Sequence, residues 1–230
     1  MRFIRLLLAA TFLLFGGMAP AQQVRLDRGS IAEIVGTLKP GQFVWAPELA
    51  PKGLMLLVVN LATQRAVLFR NGVPVGASTV STGRKGFETP TGVFTVLQKQ
   101  VEHYSRTYGN APMPYMQRLT WKGVALHAGQ LPGYPASHGC IRLPLAFAKL
   151  LYRVTNLGMT VVITDRATTP RVAPTPDLVL AGRATAPNLD RFDWHPDSSP
   201  AGPVSIVVSA ADRRAVVLRN GIEIGVAPVT

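Results

Sequence analysis

Cys140, the only cysteine of the chain, stands in a stretch that also holds two of the four histidines, His127 and His138. A thiol is an effective nucleophile only as its thiolate, so a catalytic cysteine needs an imidazole to take its proton and fixed N–H donors to hold the charge. The run Ser137-His138-Gly139-Cys140-Ile141-Arg142, with His127 upstream, contains both kinds of group. Gly139 lets the backbone turn sharply beside the thiol, and Pro144 suits the first turn of the apolar helix that follows. This spacing predicts Cys140 just before a helix N-terminus, where the dipole favours a thiolate. The candidate oxyanion donors are the backbone N–H groups of His138, Gly139 and Cys140. His138 reads as a support for that turn rather than as the base, and the Ser137 hydroxyl as a group that orients it. A zinc site of His127, His138 and Cys140 lacks a CxxC or His-rich partner, so neither a metal nor another cofactor is expected.

The elements that must position these groups are mostly strands. From Leu54 the sequence runs Leu-Met-Leu-Leu-Val-Val-Asn-Leu, then Arg65 to Arg70, an Asn71-Gly72 turn and Val73 to Val80. Asn-Gly between apolar runs is a strong hairpin signal. Further strands are predicted at Val93–Leu97, at Gly123–His127 and at Thr160–Thr164, with one amphipathic helix over Leu145–Asn156 and a stop at Gly158. Gln98 to Tyr115 reads as a long loop walling the site, with Tyr104, Tyr108, Met113 and Tyr115 as candidate substrate contacts and His103 facing solvent. Upstream, Ser30 to Glu33 has the form of a capping box, and Phe43 and Trp45 are expected to pack on the domain.

The ends of the chain differ from this middle. Residues 1–21 carry Arg2 and Arg5, an apolar run from Leu6 to Met18 and Ala19-Pro20-Ala21, the layout of a cleaved secretory signal. Export implies an oxidising compartment, where a lone cysteine has no internal partner and reads as a reactive group. The formal net charge is +12, and it stays strongly basic after removal of the signal, which points to an anionic surface; no RNA- or DNA-binding motif appears. Residues 22–53 form an N-terminal segment, 54–165 the main domain and 166–203 a proline-rich linker that contains Trp194 and His195. Residues 204–230 read as a partial repeat of 55–81, with Arg219-Asn220-Gly221 opposite Arg70-Asn71-Gly72. It stops opposite Ser81, before any counterpart of His127 or Cys140, and is expected to carry no catalysis.

Ser137-His138-Gly139-Cys140-Ile141-Arg142 with His127 upstream resembles the signature of the YkuD-type L,D-transpeptidases, cysteine enzymes that remodel bacterial peptidoglycan. Ser81-Thr82-Gly83, Thr89-Pro90-Thr91-Gly92-Val93-Phe94, Met113-Pro114-Tyr115 and Val161-Val162-Ile163 agree with that family, although Ala128 stands where many members carry Gly. The resemblance implies a mostly β, sandwich- or barrel-like fold with one helix after the cysteine and a C-terminal repeat hairpin appended. It implies Cys140 as nucleophile, His127 as base oriented by a carbonyl at Ala128 or Gly129, and acylation by a tetrapeptide stem of periplasmic peptidoglycan with release of D-Ala. Arg142 binds a stem carboxylate or forms a structural ion pair. The acceptor is another stem, water, or an outer-membrane lipoprotein, and a non-catalytic wall-binding protein is the alternative of a different class. Replacing Cys140 with Ala separates the two classes: a scaffold keeps its wall-associated function, measured as binding to purified sacculi, whereas an enzyme keeps binding and loses turnover of stem peptides.

Overall fold

The structure, a computed structural model, describes residues 21–26, 29–166, 192–201, 204–209, 213–219 and 222–229. The expected signal sequence as far as residue 20, Asn220-Gly221 and most of the expected 166–203 linker lie outside the described residues. The chain is mostly β. It begins with β1 (Gln22–Gln23), α1 (Ile31–Ile34), β2 (Gln42–Trp45) and a 3₁₀ turn at Pro47–Leu49. A meander follows, of β3 (Met55–Asn60), β4 (Arg65–Arg70) and β5 (Val73–Thr79). Next come β6 (Gly92–Thr95), β7 (Gln98–Gln100), the small hairpin of β8 (Tyr104–Ser105) and β9 (Ala111–Pro112), β10 (Met116–Arg118), β11 (Ala125–Ala128) and β12 (Ile141–Leu143). The domain closes with α2 (Leu145–Val154) and β13 (Thr160–Thr164). Beyond it lie β14 (Asp193–Trp194), β15 (Val204–Ser209), β16 (Arg214–Arg219) and β17 (Ile222–Pro228).

Seven strands form one mixed sheet in the order β1-β2-β5-β4-β3-β13-β6, and four form a second in the order β12-β11-β10-β7. The unbroken apolar run of β3 follows from this arrangement, because alternate side chains point to opposite faces and both faces are covered. Leu57 and Val59 join the core against Leu126, Ile141, Phe147 and Leu151. Leu56 and Val58 face the other way, with Val67 and Phe69, under Ile31, Val35 and Leu38. α1, too short to stand alone, is held there with a closed capping box: Ser30 Oγ accepts from the Glu33 N–H at 3.3 Å, and Glu33 Oε2 accepts from the Ser30 N–H at 2.8 Å. Residues 22–53 are therefore not a separate segment. β2 pairs with β5 through Phe43↔Ser78 and Trp45↔Gly76, and the Phe43 and Trp45 rings each lie 5.7 Å from Phe147 of α2.

α2 departs from its sequence expectation at both ends. Pro144 is the residue before the helix rather than inside its first turn, and β12 intervenes between Cys140 and Leu145, so the helix dipole does not begin at the thiol. At the other end the helix stops at Val154, where the Lys99 ammonium donates to the carbonyls of Tyr152 (2.7 Å) and Thr155. A cation on the last carbonyls satisfies orphan acceptors and opposes the dipole. The Gln98–Tyr115 stretch, read as loop, contains β7, which joins the second sheet, and the β8–β9 hairpin.

The second copy begins earlier than residue 204. β14 pairs with β17 as β2 pairs with β5, with Trp194 opposite Gly225 as Trp45 is opposite Gly76. A 3₁₀ turn at Pro196–Ser198 matches Pro47–Leu49. Arg219 donates to the carbonyls of Ser199 and Pro200 as Arg70 does to Ala50 and Pro51. Pro196 falls in the proline-rich composition that reads as a linker, yet at the start of a turn the missing N–H costs nothing. Trp194 and His195 thus belong to the repeat.

Phe147 is fully buried between the two sheets, so Phe147→Ala is expected to cost about 3–5 kcal/mol of stability, read as a lower midpoint of urea unfolding.

Candidate active site

Three strands of the second sheet bring the reactive groups to one face. His127 is the register partner of Arg142 across β11 and β12, and Ala125 that of Arg118 across β11 and β10. Register partners share a face, as do residues two apart on one strand. Arg118, Ala125, His127 and Arg142 therefore look to the same side, and Cys140, two residues before Arg142, joins them. The small Ala125 leaves room for the thiol, which packs with Met113, Met116 and Ala125 and donates to the Gly123 carbonyl at 3.4 Å.

The turn that carries Cys140 is fixed by backbone bonds to the segment that follows β5 and by side-chain hydroxyls. Ser81 and Arg142 exchange N–H···O bonds of 3.1 and 2.9 Å, the Ser137 N–H donates to the Thr82 carbonyl, and the Arg84 N–H donates to the Ser137 carbonyl. Gln64 holds Thr82 by donating to its hydroxyl and accepting from its N–H. Thr89 accepts from the Gly83 N–H and donates to the Gly139 carbonyl at 2.9 Å. Ser81-Thr82-Gly83 and Thr89 are thus the frame of the nucleophile turn. Gly139 has φ of +103°, a conformation that side chains disfavour. The Ser137 hydroxyl accepts from the Gly139 N–H at 3.2 Å and donates to the Cys140 carbonyl. Gly139 is therefore withdrawn from the expected oxyanion set, and the N–H groups of His138 and Cys140 remain for it.

The His127 ring is oriented by its own strand. Nδ1 lies 2.8 Å from the Ala128 carbonyl, which only accepts, so Nδ1 carries the proton and Nε2 is left as the basic nitrogen. The Gly129 N–H, in the same peptide as that carbonyl, donates to the Leu143 carbonyl at 3.0 Å, and the Ala128 N–H in the preceding peptide donates to the Pro114 carbonyl at 2.8 Å, which together hold the carbonyl in place. The His127 pKa is lowered to about 4, chiefly by burial, with the Ala128 bond raising it and Arg142 and His103 contributing to the lowering. Burial likewise pushes the Cys140 thiol up, with the Ala125 backbone, Arg142 and Arg118 drawing it back. The resting pair at neutral pH is thiol and neutral imidazole, which is a nucleophile with a free base rather than a preformed ion pair.

Both residues open on a cavity of about 1800 Å³. Among the described residues, its ionisable wall is basic: Arg106, Arg118, Lys122, Arg142 and Lys149 against the carboxylate Glu102. The structure brings Ser137, Ala128, Gly129, Arg142, Met113 and Tyr104 to this cavity. Tyr115 does not line it; its ring packs edge-on against Tyr152 of α2 at 5.8 Å. His103 turns into the wall, hydrogen-bonded to Gln100 at 2.6 Å. Among the described residues Arg142 meets no carboxylate, so the structural ion pair is not formed. Its stem lies over Gly129, where a Cβ would meet it at 3.0 Å. Sequence reasoning missed Phe87 and Arg118. Phe87 stands edge-on to His138 at 4.7 Å, with Tyr108 stacked on His138 at 4.5 Å and Arg84 over the Phe87 ring. Arg118 was hidden because only strand register brings it beside Ala125 and the thiol.

Residues 55–163 match the family model described as the YkuD L,D-transpeptidase catalytic domain. No curated protein matches the chain. Among solved structures, an L,D-transpeptidase (Yku) from Stackebrandtia nassauensis is 28% identical over 52% of this chain and 60% of its own, with a TM-score of 0.45. An L,D-transpeptidase from Mycobacterium smegmatis is 26% identical over 47% of this chain and 58% of its own, and one from Mycobacterium tuberculosis H37Rv is 25% identical over 47% and 57%, both with TM-scores of 0.45. The chain thus spans less than two thirds of the length of these structures.

A neutral resting pair has a kinetic signature. Alkylation of Cys140 by iodoacetamide is expected to accelerate only as pH rises through and above the ordinary thiol range, and Arg142→Gln, which removes a lowering charge, is expected to move that rise to higher pH. A plateau of reactivity between pH 5 and pH 7 would indicate an ion pair instead.

Proposed function

From the premise that residues 55–163 are a YkuD L,D-transpeptidase catalytic domain, we propose that this chain is an exported, cysteine-dependent acyltransferase acting on peptidoglycan stem peptides in the periplasm. The observation that carries the reading is the shared sheet face of Cys140 and His127, with the His127 proton fixed on Nδ1 by Ala128. The donor is a tetrapeptide stem whose third residue, meso-diaminopimelate, is joined to D-Ala.

Cys140 Sγ attacks the carbonyl carbon of the third residue while its proton passes to His127 Nε2. The carbonyl oxygen becomes an oxyanion facing the N–H groups of His138 and Cys140, where one such donor is worth ~3 kcal/mol. The C–N bond then breaks, Nε2–H returns the proton to the leaving amine, and D-Ala departs from a thioester. An acceptor amine attacks that thioester and gives its proton to Nε2, and the sulfur leaves and is reprotonated. An amine from a second stem yields the 3→3 cross-link, water yields a carboxypeptidase, and an amine of an outer-membrane lipoprotein yields attachment to the wall. A low His127 pKa suits this cycle, because the imidazole is free to accept at neutral pH and, once protonated, is a strong acid toward the leaving amine.

Mass spectrometry of disaccharide-tetrapeptide incubated with the mature protein tests the proposal. D-Ala loss with 3→3 dimers, abolished in Cys140→Ala, is the expected result. D-Ala loss alone assigns water as acceptor, and an unchanged substrate overturns the stem-peptide donor. The acid limb of kcat/KM is expected to fall below pH 4 to 5, where His127 binds a proton, rather than near the ordinary histidine value.

A further inference from the structure

The basic cavity wall carries information beyond the reaction. Arg118 and Arg142 rise from β10 and β12, the two strands that flank β11, and the thiol of Cys140, two residues before Arg142, lies against the backbone of Gly123 to Ala125. Adjacent strands are ~4.8 Å apart and the two register positions are two residues, ~7 Å, apart along β11, so the two arginines start roughly 12 Å from each other. Arg118 is anchored through Nε to Gln98 Oε1 at 2.8 Å, and its guanidinium lies 6.0 Å from the Trp121 ring. Arg142 is steered by the close contact of its stem with Gly129. Neither guanidinium meets a carboxylate among the described residues, and both line the cavity. Positioned, uncompensated guanidiniums in a cavity are suited to planar anions of a ligand.

We propose that Arg118 and Arg142 are a two-point site for carboxylates on either side of the scissile carbonyl, so that the donor is a stem with free, un-amidated carboxylates in both its leaving residue and its acyl part. Groups one residue to each side of a carbonyl in an extended peptide are roughly 7 Å apart, a span that two arginine side chains rooted on β10 and β12 bracket. The inference rests on the stem-peptide reading and narrows its substrate class. Both residues are specificity-determining, and Arg118 is the one that no sequence motif announces.

The test uses three donors: the free tetrapeptide, the same peptide amidated on the leaving D-Ala, and the same peptide amidated on the acyl side. Acylation of Cys140, followed by mass, is expected to favour the free peptide over each amide by roughly 10- to 100-fold, the scale of one charge-assisted pair. Arg118→Gln is expected to lose discrimination against one amide and Arg142→Gln against the other, each keeping the discrimination it does not own. Arg118→Lys, which keeps the charge, is expected to retain part of the preference. Equal rates on all three donors with the wild-type protein overturn the proposal, as does an Arg118→Gln variant that discriminates like the wild type or slows all three donors alike. Calorimetric binding of the same peptides to Cys140→Ser reads the discrimination without chemistry. If the wild-type protein acylates with none of them yet this binding pattern holds, the transpeptidase reading fails and the carboxylate site stands; no carboxylate-dependent binding overturns the site.

Discussion

The two reciprocal N–H···O bonds between Ser81 and Arg142 join the sheets, and the reactive geometry depends on them. Ser81 continues β5, at the middle of the larger sheet, while Arg142 lies on β12, the edge of the smaller one. Main-chain bonds at a buried junction are costly to break because both partners then lose their only solvation. The junction therefore seats Cys140 and His127 against a rigid layer without demanding a particular side chain at either position. The Ser137 and Thr89 hydroxyls complete the seating by occupying the carbonyls of Cys140 and Gly139.

Burial and charge oppose one another at the thiol and act together at the imidazole. Desolvation holds the thiol protonated and the imidazole neutral; the guanidiniums favour the thiolate and likewise disfavour imidazolium. The outcome is a site that is quiet at rest and becomes charged when a substrate provides an electrophile. Because oxidative and alkylating modification of a thiol proceeds through the thiolate, suppression of the resting thiolate also protects the nucleophile.

The chemistry was more legible in the sequence than its scaffold was. Cys140, His127 and the carbonyl that orients the imidazole are contained in one short stretch, so their types and spacing carried the reading. Runs such as Met55 to Asn60 announced strands because both faces are apolar. The strand β12 stayed hidden, since Ile141-Arg142-Leu143 is too short for periodicity to separate from the helix after it, and the helix was consequently placed too close to the thiol. Tyr115 was misassigned for the same kind of reason: an aromatic next to a site residue in sequence has no stated direction until the loop is folded, and here it faces Tyr152. Arg118 becomes a neighbour of the site only through pairing across the second sheet, and Phe87 only through the Thr89 bonds that tie its loop to the nucleophile turn, neither of which a local pattern encodes.

The bulge between Leu68 and Phe69 in the β4–β5 pair recurs between Val217 and Leu218 in the β16–β17 pair. The second occurrence has no counterpart of β13 or α2 among the described residues, yet the bend, the tryptophan over the opposed glycine and the arginine on the turn carbonyls all return. The irregularity is therefore written into the meander itself rather than imposed by what packs on it. Such a unit makes its contacts between near neighbours in sequence and closes only short loops, whereas the nucleophile turn must wait for segments as far apart as Ser81 and Arg142 to meet. The frame of the nucleophile turn is thus the non-local part of the domain, and the meander the local part.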